Sequence, residues 1–334
     1  MLPPNLASPP PTLTDDQAAQ LAHQHFGISG TLHRLTSERD LNIRITTATA
    51  RYVLKLANPA EAAALTDFQT QALLHLAATN LPIPRVIRTL TGQAAAITRY
   101  GTLRLLTYLD GTPQHATPKT AAQSRNLAQM AARLTLGLQG FTHPAAHHTL
   151  QWDIKNASAL RALLPAIPDA ALRQLAGQTL TRFDADIAPQ LPHLRAGVVH
   201  NDLNPHNVLT HPANPDIISG ILDFGDMVCT PLICDMAITA SYQIIPADAL
   251  TSLLTFAAAY HAILPLTQTE ITLLPDLIAT RMLTTLAITS ARAAAFPHNA
   301  AYILRNFPSA RDGLCALAAL DRPTVLTALT TRLP

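Results

Sequence analysis

Two hydrophobic periods alternate along the chain, and the place where one gives way to the other divides it. Thr14-Asp15-Asp16-Gln17 reads as a capping box with acids in the first helical turn. Leu21, Ala22 and Phe26 give the following helix one apolar face, and Gly27 ends it. Short alternating stretches at residues 32–35, 43–47 and 51–56 then predict antiparallel strands joined through residues 37–42 and 48–50. Helical spacing returns at Leu65, Phe68, Ala72, Leu73, Leu76 and Ala77, an amphipathic helix that should pack on the sheet. Leu81-Pro82-Ile83-Pro84 stops it, and two further strands follow near 94–99 and 103–108. Leu109-Asp110-Gly111-Thr112-Pro113 is the clearest linker, so residues 13–110 and 111–334 read as separate units. Beyond it the pattern is mostly helical. Thr117-Pro118 is expected to open a helix carrying Leu127, Ala131, Leu134 and Leu138, with others near 169–188, 231–243, 247–263, 267–295 and 310–320. No internal repeat is present.

Two polar loops interrupt the helical half, each fed by an apolar run. Gly197-Val198-Val199 leads into His200-Asn201-Asp202-Leu203-Asn204-Pro205-His206-Asn207. Ile217-Ile218-Ser219-Gly220-Ile221-Leu222 leads into Asp223-Phe224-Gly225-Asp226, whose first residue lies sixteen positions after Asn207. Runs of this kind read as strands that deliver carboxylates to one sheet edge. The layout H-x-D-x-x-x-x-N followed by D-F-G is that of kinase-type phosphotransferases. In that chemistry an Asp takes the proton of the acceptor hydroxyl, an Asn holds one magnesium, and a second Asp bridges magnesium to the nucleotide phosphates. Asp202, Asn207 and Asp223 occupy those places, with Mg2+ as the expected metal and ATP or GTP as co-substrate. His200 is expected to brace the loop backbone. Asp226 is read either as a metal or substrate contact or as a turn cap.

Lys55 lies near the end of its strand between Leu54 and Leu56, so alternation turns it to the opposite, polar face. It is the candidate for the α- and β-phosphates. The connection at 37–42 is where such a fold covers those phosphates. Ser37 and Asn42 are candidate contacts there despite the lack of glycines, because backbone amides alone make anion nests. Arg39 is read either as a phosphate contact or as a solvated hairpin tip. Backbone groups around Thr107 to Leu109 are the candidate holders of the base.

Composition narrows the partners. The chain has 334 residues, enough for two cores, a net charge of +2 and 13% charged residues. That balance offers no basic stripe for nucleic acid. The apolar stretches are broken by Thr, Pro, Arg or Asp, and none is expected to reach the length required of a membrane span. Residues 1–12 are Pro-rich without a basic start and read as a disordered or draping lead-in rather than a signal peptide. Cys229, Cys234 and Cys315 form no metal spacing, and their odd number argues against a disulfide framework. A reducing cytoplasm is the expected compartment. His143, His147 and His148 read as a solvated loop in preference to a zinc site. A monomer or homodimer is expected.

With these motifs the chain resembles the aminoglycoside phosphotransferase and choline kinase superfamily, and within it the hydroxylysine kinase-like branch. Ser37-Glu38-Arg39-Asp40-Leu41-Asn42-Ile43-Arg44 resembles the branch's phosphate loop. Tyr52-Val53-Leu54-Lys55-Leu56-Ala57-Asn58-Pro59 resembles its third strand, and Ile218 through Met227 its metal-binding strand. Arg281 through Pro297-His298-Asn299 and Tyr302 resembles its C-terminal helical region. The resemblance implies an α+β, bilobal protein-kinase-like fold, with a small N-lobe of antiparallel sheet plus helix and a larger, mostly helical C-lobe. It implies a kinase for a small amine-bearing acceptor, such as 5-hydroxylysine. Other readings are an aminoglycoside, homoserine or choline-type phosphotransferase, or a catalytically silent nucleotide-binding module. Asp235 resembles the Asp that anchors the catalytic loop, with helix capping as its other reading. Arg281 is the candidate for an acceptor carboxylate. Two departures stand out. Asn201 replaces the usual Gly, and Gln69 replaces the helix Glu that partners the lysine, which leaves Glu61 as the nearest acidic alternative.

Overall fold

The computed structural model describes residues 10–37 and 39–333. The lead-in expected over residues 1–12 lies mostly outside that range, as does Glu38 of the predicted phosphate loop. The chain divides into two compact units. One runs to Asp110 and includes His143–Ala146 and Gly220–Gly225; the other holds Gly111–Thr142, His147–Ser219 and the chain from Asp226 onward.

The first unit opens with α1 (Asp15–Phe26), whose Thr14–Gln17 capping box is formed and whose end is Gly27 at φ 68°. Strands β1 (Thr31–Leu35), β2 (Leu41–Thr46) and β3 (Arg51–Leu56) follow, then α2 (Ala63–His75), β4 (Val86–Ile87), β5 (Ala96–Thr98) and β6 (Gly101–Thr107). They form an antiparallel sheet in the order β1-β2-β3-β6-β4, with β5 also on β6. The two-residue β4 carries too little pattern for sequence reading to find. Alternation gives the sheet two distinct faces. Ile43, Ile45, Leu54, Leu56, Leu103 and Leu105 bury against Leu13, Ala18, Leu21, Ala22 and Phe26. The opposite face carries Asn42, Lys55 and Arg104 in one row across β2, β3 and β6.

The second unit begins with β7 (Thr112–Pro113), which pairs with β9 (Val208–His211). Helices α3 (Ala121–Gly137) and α4 (Ala170–Arg182) precede β8 (Ala196–Val199), and β9 is followed by β10 (Asn214–Ile221) and β11 (Val228–Pro231). The chain then runs through α5 (Leu232–Ser241), α6 (Ala249–His261), α7 (Gln268–Ala295), the short α8 (Ala300–Ile303), α9 (Phe307–Ala318) and α10 (Arg322–Arg332). α5 and α9 pack on α7, and α6 packs on α3. Alanine at Ala131, Ala132, Ala237, Ala240 and Ala287, all fully buried, lets these helices approach closely.

Several expectations are corrected. The helix expected to open at Thr117-Pro118 begins at Ala121, capped by Thr120, whose Oγ1 accepts from Gln123 N at 3.0 Å. Thr117 is spent earlier, closing a turn through its hydroxyl bond to Gln114 O at 2.9 Å. The helix expected at 169–188 ends at Arg182 and continues as a single wide turn, Phe183–Ile187. The chain was expected to hold no stretch of membrane-spanning length. α7, however, is 28 residues long and apolar enough to cross a bilayer by length and composition, with 83% of its most apolar window buried inside the fold. Its apolar side chains meet protein on nearly every face, as expected of a helix at the centre of a bundle.

Gly111 precedes β7 where the chain passes tightly over β9. A Cβ there would lie 2.8 Å from Leu209 Cβ and 3.0 Å from the Thr210 carbonyl oxygen. Gly111→Ala is therefore expected to destabilise the protein by about 1–3 kcal/mol, the usual cost of overpacking. Urea denaturation checks this; an unchanged midpoint contradicts it.

Candidate active site

In the first unit, Lys55 and Arg104 approach one carboxylate. Asp40, just before β2, lies 3.5 Å from Lys55 Nζ and 4.0 Å from Arg104 Nη2. The lysine left without a helix glutamate thus has an ion-pair partner fifteen positions upstream, at Asp40 rather than at Glu61. Arg104 is 2% exposed, and burial pulls its pKa below the ordinary arginine value. Its Nη2 donates to Gln69 Oε1 at 3.1 Å. Gln69 therefore serves Arg104, and Glu61, its other neighbour at 3.5 Å, is pushed to a raised pKa first by burial and then by Asp40.

The connection before β2, expected to meet phosphates, is fastened to the end of β3. Asn58 N donates to Asp40 Oδ1 at 3.2 Å, and Asn58 Nδ2 donates to Arg39 O at 2.9 Å. Ser37 is half-buried in this loop. Asn42 Oδ1 is buried and has no hydrogen-bond partner among the described residues, next to Lys55 in the cross-strand row. Asp223 also belongs to this unit, at the end of β10. Its carboxylate is exposed, its φ is 57°, and its Oδ1 accepts from Gly225 N at 3.1 Å. A point beside Gly225 lies within 3.3 Å of both Asp223 Oδ1 and Arg39 Nη2, which brings the loop arginine to the Asp-Phe-Gly turn. The amide of Thr107 donates to Arg85 O and its hydroxyl accepts from Arg85 N, while Tyr108 N donates to Arg51 O. Leu109 is half-buried beyond them. His143 is tied to Asp67 at 3.1 Å and stacked on Phe68.

In the second unit, the loop between β8 and β9 is braced from below. His200 is fully buried, and its Nδ1 accepts from Asp202 N at 3.2 Å. A backbone N–H can only donate, so the ring proton must sit on Nε2. Asp235, inside α5, accepts from Asn201 N at 2.7 Å. Pro231 holds the cap position, so Asp235 is not a helix cap. Asn201 sits at φ 65°, a conformation asparagine tolerates better than most residues. Among the described residues, neither end of its fully buried amide has a hydrogen-bond partner.

Asp202 is held by side-chain donors on both oxygens. Its Oδ1 lies 3.3 Å from Arg281 Nη2, and its Oδ2 accepts from Asn204 Nδ2 at 2.9 Å and Asn207 Nδ2 at 2.8 Å. Asn207 Nδ2 also donates to Asp202 O at 3.0 Å. Both partners of that nitrogen are acceptors, which fixes the amide's orientation and turns Oδ1 away from Asp202. Arg281 is 2% exposed. It donates to Trp152 O at 3.1 Å and to the Tyr242 hydroxyl at 3.2 Å, with its guanidinium over both rings. Burial lowers its pKa, but Tyr242 and Asp202 more than offset this and leave it raised. Asp226 is buried and adds to that field. His206 packs against His115 at 4.1 Å between ring centroids; burial, helped by His115, lowers its pKa to about 4 and keeps it neutral.

Sequence reading missed Asp40, Arg104, Asn204, Trp152 and Tyr242. Arg104 alone carried a signal, as a charge inside an otherwise apolar strand.

Burial raises the Asp235 pKa to about 6 from an ordinary 3.8. Between those values the folded chain binds a proton that the unfolded chain lacks. This group's contribution to stability is therefore greatest below about pH 4 and is lost as pH rises through about 6. Relative to Asp235→Asn, the unsubstituted protein is expected to lose on the order of 3 kcal/mol of unfolding free energy over that window. Urea titrations of both proteins at several pH values check it; parallel curves contradict it.

A family model described as the phosphotransferase enzyme family matches residues 31–270. A hydroxylysine kinase of Mus musculus is 27% identical over 331 residues, 89% of this chain and 87% of that one. A homoserine kinase of Methylobacillus glycogenes is 29% identical over 238 residues, 69% of each chain. Among solved structures, an amicoumacin kinase in complex with AMP-PNP and Ca2+ superposes with a TM-score of 0.68 at 14% identity, covering 93% of this chain and 97% of that one.

Proposed function

The chain belongs to the phosphotransferase enzyme family, and from that premise we propose that it transfers the γ-phosphoryl of ATP or GTP to the hydroxyl of a small amine-bearing acceptor, a hydroxylated amino acid such as 5-hydroxylysine. The observation that carries this reading is Asp202, whose carboxylate is oriented by Arg281, Asn204 and Asn207. Such a fixed acceptor can orient a substrate hydroxyl and receive its proton. The hydroxyl oxygen attacks the γ-phosphorus, the bond to the bridging oxygen breaks, and the nucleoside diphosphate leaves. Lys55 is assigned to the α- and β-phosphates, with Ser37 and Asn42 as loop contacts. Asn42 Oδ1, an acceptor with no partner among the described residues, suits a hydroxyl or amine donor better than a phosphate oxygen. The Thr107 and Tyr108 amides are committed within the sheet, so base recognition by this segment falls to its carbonyls and to Leu109.

Asn207 Oδ1 and the exposed Asp223 carboxylate are hard oxygen donors of the kind magnesium takes. When bound, Mg2+ would neutralise charge on the β- and γ-phosphates. His200 and Asp235 keep the loop in shape. Arg281 is assigned to holding Asp202, and the acceptor's carboxylate is left to another group. Likeness to both hydroxylysine and homoserine kinases supports an amino-acid acceptor.

The test is diphosphate release by the purified protein with Mg2+ and either ATP or GTP against 5-hydroxylysine, homoserine, choline and aminoglycosides. Turnover concentrated on a hydroxyamino acid is expected. Nucleotide binding without turnover of any acceptor would favour the silent module.

A further inference from the structure

Resting on the reading just given, we propose that Asp40, in the phosphate loop, positions Lys55 for the nucleotide phosphates, a task performed from the loop instead of from the helix packed beside the sheet.

Asn42, Lys55 and Arg104 stand opposite one another on three neighbouring strands and share one face. Side chains in such a row are close enough to interact, and here two of them are cations. Placed side by side without an anion they would repel. Asp40 enters at the end of the row and meets both, at 3.5 Å from Lys55 Nζ and 4.0 Å from Arg104 Nη2. Lys55 and Asp40 are only 16% and 14% exposed, so water screens the pair poorly.

The helix position has been given another use. Gln69 is neutral and accepts from Arg104 at 3.1 Å. A glutamate there would compete with Asp40 for Arg104 and would face Glu61, which already lies 3.5 Å from the Gln69 amide. With Gln69, Arg104 Nη2 donates to α2 at 3.1 Å and lies 4.0 Å from Asp40, and so links helix, sheet and loop. Asn58 completes the arrangement. Its backbone N–H holds Asp40 Oδ1 and its side chain holds Arg39 O, so the carboxylate is fixed at both its own oxygen and its neighbour's backbone.

A consequence separates this arrangement from a helix-borne partner. The group that orients the lysine moves with the loop that covers the phosphates, so loop position and lysine position are one variable. Disturbing Asp40 should therefore change nucleotide handling while leaving the acceptor side alone.

Asp40→Asn is the informative substitution, because its Oδ1 can still accept from Asn58 N while the charge is gone. Nucleotide affinity is measured by calorimetry with Mg·ADP and Mg·AMP-PNP, together with steady-state KM values for nucleotide and acceptor and a thermal melt. About tenfold weaker nucleotide binding is expected, the order of effect for a partly buried ion pair. The acceptor KM should stay within about twofold, since Asp40 makes no part of the Asp202 arrangement. Asp40→Glu, which restores the charge with a longer reach, should recover most of the loss. The proposal is overturned if Asp40→Asn binds nucleotide as the unsubstituted protein does, or if Asp40→Glu is as impaired as Asp40→Asn. Should Asp40→Asn fail to fold, Asp40→Glu and Asp40→Ser carry the comparison, and equal nucleotide affinity for the two overturns the proposal. Failure of the kinase reading looks different: the unsubstituted protein itself would bind no Mg·nucleotide.

Discussion

Asp202→Asn is expected to lower kcat by about 10²-fold or more, the usual worth of a positioned base, while nucleotide affinity holds. The substitution keeps the shape of the side chain, so the cause is chemical. Each carboxylate oxygen faces donors only: Arg281 on one side, Asn204 and Asn207 on the other. An amide placed there must aim its NH2 at one of those donors. It can no longer take a proton from an incoming hydroxyl, and Arg281, 2% exposed, loses its anion. Steady-state kinetics with calorimetric nucleotide binding as control checks this. An unchanged kcat would remove Asp202 from the proton-acceptor role.

Asp223→Asn is expected to lower kcat by about 10²–10³-fold, comparable to losing one preorganised stabiliser of developing charge, and to shift the Mg2+ dependence to higher concentration. Asparagine suits the local backbone because Asp223 sits at φ 57°, a region it tolerates. The amide oxygen can still accept from Gly225 N, as Asp223 Oδ1 does at 3.1 Å. Charge alone is removed. A Mg2+ titration of activity that superimposes on that of the unsubstituted protein would contradict the metal-ligand assignment.

Elements with strong local patterning are legible in the sequence. The Thr14 capping box and the Gly27 stop are present as read, because the signals that set them lie within a few residues of each other. The first three strands fall within two residues of their expected limits at every edge for the same reason. The loop from His200 to Asn207 was visible because the chemistry proposed for it demands fixed residue types at fixed spacing. What could not be read is tertiary pairing. Nothing near Lys55 in sequence announces Asp40 as its partner; that contact follows from strand register and from the way Asn58 fastens the loop. Arg281 was read as a candidate for the acceptor's carboxylate, with no sign that it is buried. Its burial depends on Trp152 and Tyr242, 129 and 39 positions away. The start of α3 was misplaced because Thr117 and Thr120 are both capping residues, and only the turn closed by Thr117 on Gln114 decides between them.

Trp152 is the chain's sole tryptophan, and it lies over the guanidinium that holds Asp202. An indole beside a cation has an excitation and emission that respond to any shift of that charge. The protein therefore contains its own optical probe at the place where the acceptor hydroxyl is expected to dock. Stopped-flow recording at tryptophan wavelengths can time acceptor arrival and departure without a label, against a background from six tyrosines only.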